Sequence, residues 1–150
     1  MAYPRAAVTI PGMESGVGYT RLDPDTEERF VSLRRQLGVT TFGINQILLR
    51  PGQRGRIHRH TAQEEVYIVL AGTLTLGIEG EERELGQGEL ARVAPEVRRQ
   101  IVNRGSEDVL MIALGGANEH VGRDGEAFEA WDQDSGAPPQ EVPLPPDLTP

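Results

Sequence analysis

Two of the chain's three histidines, His58 and His60, stand two residues apart, and Glu65 follows after four intervening residues. Side chains alternate faces along a strand, so two histidines at this spacing point the same way. Imidazole and carboxylate suit the divalent cations Fe, Mn, Ni, Zn and Cu. Together the residues offer a three-ligand metal site with positions left open for oxygen or a substrate. A lone His-x-His on a strand is more often structural, so the pair needs support from its surroundings. Other chemistry is scarce. The chain has no cysteine, which excludes disulfides, thiolate metal sites and cysteine nucleophiles. All fifteen basic residues are arginine, which excludes Schiff-base lysines. No second carboxylate, serine–histidine pair or phosphate-cradling glycine loop offers an independent mechanism.

The elements that must position these residues read as strands. GINQILLRPG (43–52) alternates Ile44, Gln46 and Leu48 with Asn45, Ile47 and Leu49, so Gln46 or Asn45 is a candidate neutral oxygen ligand. Glu65 to Leu70 is apolar on both faces apart from Glu65, and Tyr67 shares the face of Glu65. Tyr67 is therefore either a lumen hydrogen-bond donor or a core tyrosine. A strand apolar on both faces must be covered on both, by the core and by an N-terminal arm or a partner subunit, so a homodimer is expected. Strands are also expected at Thr73–Ile78, within 86–97, at Val97–Val102 and at Val109–Leu114, separated by Gly and Pro turns. DPDTEERFVSLRRQLG (23–38) carries both helix and strand signals, and the strand is preferred. Glu126 to Trp131 is expected to form one or two helical turns, with Phe128 and Trp131 plugging one end of a barrel. The tail from Ala137 holds six of the eleven prolines and is expected to lie along the surface or across a neighbouring subunit.

The chain is long enough for one domain with a full core. A net charge of −8 argues against nucleic acid as the main partner. No apolar run approaches a membrane span, and the N-terminus lacks the basic start and apolar stretch of a signal peptide. A cytoplasmic protein with a small-molecule ligand is the expectation. The arginines gather near 50–59 and 92–104, mostly as a solvated face opposite glutamates, or as a rim that attracts an anion.

The stretch GQRGRIHRHTAQEEVYIVLAG (52–72) resembles the first motif of the cupin superfamily. That motif runs Gly, five residues, His-x-His, three or four residues, Glu, six residues, Gly. Gly52, His58, His60, Glu65 and Gly72 match it in full. The resemblance spans roughly residues 40–115. It implies an all-β fold, a double-stranded β-helix or jelly-roll barrel. An N-terminal arm (1–29) would precede the barrel. An extension (116–150) with a short helix and a Pro-rich tail would follow it, all as one domain over 1–150. It also implies that His58, His60 and Glu65 face the lumen as metal ligands. GELARVAPEVRRQIVN is similar to the second motif only in part. Asn103 falls on its closing Asn and Gly88 on its first Gly, and Arg99 stands where the fourth ligand, a His, is expected.

Arg99 shares its strand face with Val97 and Ile101, so it faces the lumen if they do. A guanidinium stays protonated and has no acceptor, so it cannot bind a metal. Buried, it needs a partner, and a bidentate pair with Glu65 is the expectation. Two readings stand open. In one, the triad binds a divalent metal and Arg99 holds an anionic group of a ligand beside it, as a binding cupin or as a dioxygenase or isomerase on a small anionic or polar molecule. In the other, a Glu65–Arg99 salt bridge replaces the metal and the barrel is structural. His120 is available only as a distant replacement ligand. The ligand's identity is not written in the sequence.

Overall fold

Short alternating runs between glycine and proline turns become ten strands among the residues that the computed structural model describes, 16–117 and 124–150. They are β1 (Phe30–Ser32), β2 (Gly43–Leu49), β3 (Ile57–His60), β4 (Glu64–Ala71), β5 (Leu74–Ile78), β6 (Glu81–Leu85), β7 (Leu90–Val93), β8 (Arg99–Val102), β9 (Val109–Gly116) and β10 (Gly125–Phe128). A short helix, α1 (Leu33–Leu37), follows β1. Two five-stranded sheets run in the orders β1-β2-β9-β4-β7 and β10-β3-β8-β5-β6. Every pairing is antiparallel. The all-β double-sheet barrel expected from the sequence is thus the fold.

The inward positions of both sheets make the core. Leu49, Val69, Leu74 and Met111 are buried to 0% exposure, with Ile47 and Ile101 beside them. Each such side chain contributes about 1.5–3 kcal/mol on burial. On β2 the inward set is Asn45, Ile47 and Leu49, which leaves Gln46 on the opposite face. Within the second sheet, His58 of β3 stands opposite Arg99 of β8.

Two expectations change. The 23–38 segment is strand only over Phe30–Ser32 and then turns into α1. Ser32 Oγ caps that helix by accepting from Arg35 N at 3.2 Å, and Gly38 ends it at φ 77°. The expected C-terminal helix over Glu126–Trp131 is instead β10. Its backbone pairs with β3, from Gly125 opposite His60 to Phe128 opposite Ile57. On its other edge Ala127 exchanges both backbone bonds with Ala137. An open edge on β3 is a stronger template than a one-turn helix. Phe128 and Trp131 consequently lie over the outer face of the second sheet rather than plugging an end. The Arg98 guanidinium sits 3.8 Å from the Phe128 ring centroid, and the Trp131 ring covers Gly77, where an added Cβ would meet it at 3.0 Å.

The Pro-rich tail runs along the chain's own surface after a 3-10 turn at Pro139–Glu141. Arg54 Nε donates to Pro146 O at 2.9 Å, Arg56 Nε to Val142 O at 2.6 Å, and Leu148 N to Gly52 O at 2.8 Å. Among the described residues no helix is long and apolar enough to cross a membrane.

Candidate metal centre

β3 and β4 belong to different sheets and are joined by a short turn. That turn brings His58 and His60 against Glu65 across the lumen. Tight turns flank the stretch, with Gly52 at φ +84° and Gly72 at φ +78°. A Cβ on Gly72 would lie 2.3 Å from Asp108 O, so that closing position admits only glycine. Both imidazoles meet one carboxylate oxygen. His58 Nε2 lies 3.3 Å and His60 Nε2 3.1 Å from Glu65 Oε1. One ligand atom from each of the three residues falls within 4.8 Å of the others. Bonds of about 2.1 Å to a shared ion put neighbouring ligand atoms about 3 Å apart, so the set fits a divalent metal.

The other ring nitrogens decide what the site needs. His58 Nδ1 is 3.1 Å from the carbonyl oxygen of Arg56, which only accepts, so Nδ1 carries the proton. His60 Nδ1 is 2.8 Å from Asp124 Oδ1, again an acceptor. With both Nδ1 atoms donating, each Nε2 faces Glu65 as a lone pair against an anionic oxygen. Only a positive charge between them resolves that arrangement, either a second proton on each ring or one divalent cation. Orientation of a ligating histidine by a carboxylate is the usual outer support of a metal site.

Asp124 was not visible to the sequence reading. It just precedes β10 and also accepts from Ala62 N at 3.0 Å and Gln63 N at 2.8 Å. Tyr67 is 2% exposed, lines the lumen, and donates its hydroxyl to Glu65 Oε1 at 3.0 Å. Gln46, expected as an oxygen ligand, faces away from the lumen. Its Oε1 accepts from Asp23 N at 2.6 Å and its Nε2 donates to Asp23 O at 2.7 Å, which pins the N-terminal segment instead. Asn45 is the residue of that pair on the cavity wall. His120 lies outside the described residues.

Arg99 occupies the fourth corner but differs from the expectation in its bonds. It is 0% exposed, and Nε approaches Glu65 Oε1 at 3.5 Å without hydrogen-bond alignment. Its fork turns away and donates to Ala94 O at 3.0 Å, Pro95 O at 3.3 Å and Val93 O at 3.4 Å. The pair is therefore Coulombic and not bidentate. The side chain sits behind Glu65 and is not among the residues that line the cavity.

These contacts set the protonation states. Burial alone would raise the Glu65 carboxyl, but the bonds from His58 and His60 hold it far below the usual carboxylate range. Burial would lower His60, but Glu65 and Asp124 together raise it above the ordinary imidazole value. Burial, with Glu65 close by, pushes the Tyr67 hydroxyl well above its ordinary value, so it stays a donor. A proton and a metal compete for His60 Nε2. Metal affinity should therefore weaken as the pH falls, with the loss beginning above the ordinary midpoint of about 6.5. A chelator-dye competition from pH 8 to pH 5.5 measures this, and a flat profile would contradict the assignment.

The cluster lines a cavity of about 420 Å³ together with Asn45, Gln63 and Tyr67, with Arg34, Arg56 and Pro139 among the other lining residues.

An antiparallel double-sheet barrel with two histidines and a carboxylate converging in its lumen defines a small jelly roll with a group that could hold a metal ion. Residues 45–115 match the cupin domain family, and solved cupin structures share the fold. It is similar to a sugar phosphate isomerase of that superfamily from Silicibacter pomeroyi, at 24% identity and TM-score 0.59, over 67% of this chain and 65% of that one. The chain thus spans less than two thirds of that relative. A cupin protein from Bacteroides fragilis shares 22% identity at TM-score 0.58, over 79% of this chain and 98% of that one. The cupin domain of an XRE-family transcriptional regulator from Enterobacter cloacae shares 26% identity at TM-score 0.53, over 59% of this chain and 97% of that one. No curated protein matches the chain.

Proposed function

We propose that the protein is a cupin that holds one divalent metal ion in its barrel through His58, His60 and Glu65 and binds a small ligand beside it. The observation that carries this reading is the commitment of both Nδ1 atoms to acceptors, which leaves two Nε2 lone pairs facing one carboxylate oxygen. Asp124 and the Arg56 carbonyl would fix the two rings, and Tyr67 would hold the carboxylate in place. When bound, such an ion supplies a Lewis acid with open positions. The dioxygenase and isomerase readings draw on the same site, and both need the metal first.

One observation favours a second reading, in which the barrel works without a metal. Arg99 already places a buried positive charge 3.5 Å from Glu65 Oε1. The two readings separate on metal content. Protein purified without a histidine tag and reconstituted with Fe, Mn, Ni, Zn or Cu should retain close to one ion per chain by elemental analysis. His58→Ala and His60→Ala should each lose it while staying folded. No retention by the wild-type chain after reconstitution would overturn the metal reading and leave the salt bridge.

A further inference from the structure

The cavity's charge does not match that of the whole molecule. The chain carries a net charge of −8, yet the cavity wall holds two arginines, Arg34 and Arg56, and a single acid, Glu65. Glu65 is already shared among His58, His60, Tyr67 and Arg99. Neither wall arginine is paired with a carboxylate among the described residues. Arg56 bonds only a neutral carbonyl, that of Val142. Arg29, Arg50, Arg59, Arg92 and Arg104, by contrast, each face a carboxylate elsewhere on the surface.

Arg34 is the more telling of the two. It belongs to α1, the helix where the sequence signals were mixed, and that turn brings it to the cavity wall. Its Nε is shut off from water and has no hydrogen-bond partner. A guanidinium keeps its charge at any ordinary pH, and a buried charged N–H without an acceptor is costly. Gln63 shows the opposite need in the same cavity. Its Oε1 is buried and unpartnered, and an oxygen of this kind asks for a donor. The side chain is packed over Gly115, where a Cβ would approach Gln63 Nε2 to 2.7 Å, so it is held in place.

We infer that Arg34 anchors a small hydroxylated anion, a hydroxycarboxylate or the phosphate monoester of a small polyol, whose charged group sits at that wall and whose hydroxyl donates to Gln63. The planar guanidinium of Arg34 would offer a carboxylate or phosphate two parallel N–H bonds. Arg56 adds a second positive charge to the same wall. The hydroxylated end then lies toward His58, His60 and Glu65. The inference rests on the lumen being the binding site, as proposed above, but not on a metal being bound there.

The test uses the full chain, once metal-loaded and once chelator-treated, titrated calorimetrically with glycerate and with glycerol 3-phosphate. Glycerol and inorganic phosphate serve as the two half-ligands. At least one hydroxylated anion should bind more tightly than either half, and which one does separates a carboxylate from a phosphate source. Arg34→Gln should weaken that binding by at least about ten-fold, as loss of a charged hydrogen bond does, with metal content unchanged. Arg34→Lys should recover part of it, and Gln63→Leu should weaken the hydroxylated anion while sparing inorganic phosphate. Wild-type protein that binds neither anion, or Arg34→Gln protein that binds as wild type, would overturn the inference. Arg34-dependent binding by a chain that retains no metal would support it while overturning the metal reading. Metal retention without anion binding would do the reverse.

Discussion

Replacing Glu65 with glutamine is expected to abolish metal retention and to destabilise the chain by about 3–5 kcal/mol, the usual effect of removing one partner from a buried ion pair. The change is nearly isosteric, so packing is kept and charge alone is lost. Glu65 Oε1 is the meeting point of His58, His60, Tyr67 and Arg99. Without the carboxylate, the fully buried Arg99 guanidinium has only neutral carbonyls to face. The histidines lose the anion that holds a second proton or a metal between them. For a chain of this size the loss corresponds to a fall of roughly 6–20 °C in the unfolding midpoint. Denaturant unfolding in the presence of a chelator isolates the stability effect, and elemental analysis reads the metal. A variant within about 1 kcal/mol of wild type would show that Arg99 does not depend on Glu65 for its burial.

The triad was legible because two simple rules agree. A period of two puts His58 and His60 on one face, and the Gly52-to-Gly72 spacing fixes the turns around them. The lumen position of Arg99 was legible for the same reason, since it shares a strand face with Ile101 and stands opposite His58. Its partners were not legible. They are the carbonyls of Val93, Ala94 and Pro95, and backbone oxygens carry no sequence signal. Gln46 and Asn45 present a different limit. Both faces of β2 mix apolar and amide side chains, so alternation gives two sets without saying which is inside. The contact between Gln46 and the Asp23 backbone settles it, and that contact depends on a segment more than twenty residues away.

Asp124 was missed through a single misreading of period. The Phe128–Trp131 spacing looks helical, but the segment completes the edge of β3 as β10. Only as a strand does it carry Asp124 to His60 Nδ1. Arg34 was obscured in the same way, because a segment assigned wholly to strand has no α1 to bring it to the cavity. For Asp124 local propensity was overridden by pairing with a distant strand. For Arg34 the local Ser32 cap prevailed and turned the segment into α1. In both cases the residue lies at the cavity or beside its histidines.

Replacing Arg99 with methionine is expected to move stability and metal affinity in opposite directions. In metal-free protein the change removes the cation behind Glu65 and the donors that serve three carbonyls. A loss of about 3–5 kcal/mol is expected there, because methionine fills the volume but pairs with nothing. In metal-bound protein the balance differs. A guanidinium 3.5 Å from Glu65 Oε1 repels a dication held by that same oxygen. At an effective dielectric of about 20, repulsion at such range amounts to several kcal/mol. Its removal should raise metal affinity by at least about ten-fold, which is about 1.4 kcal/mol. The ion then supplies the charge that Arg99 no longer does. Metal at about one hundred times its dissociation constant adds about 2.7 kcal/mol to the folded state, so most of the lost stability should return on loading. The measurement is the unfolding midpoint with and without metal for both proteins. Arg99→Met should start lower and rise further. Equal rises would mean that Arg99 does not oppose a metal at this site, and the fourth corner of the barrel would then be a structural prop rather than a brake on metal binding.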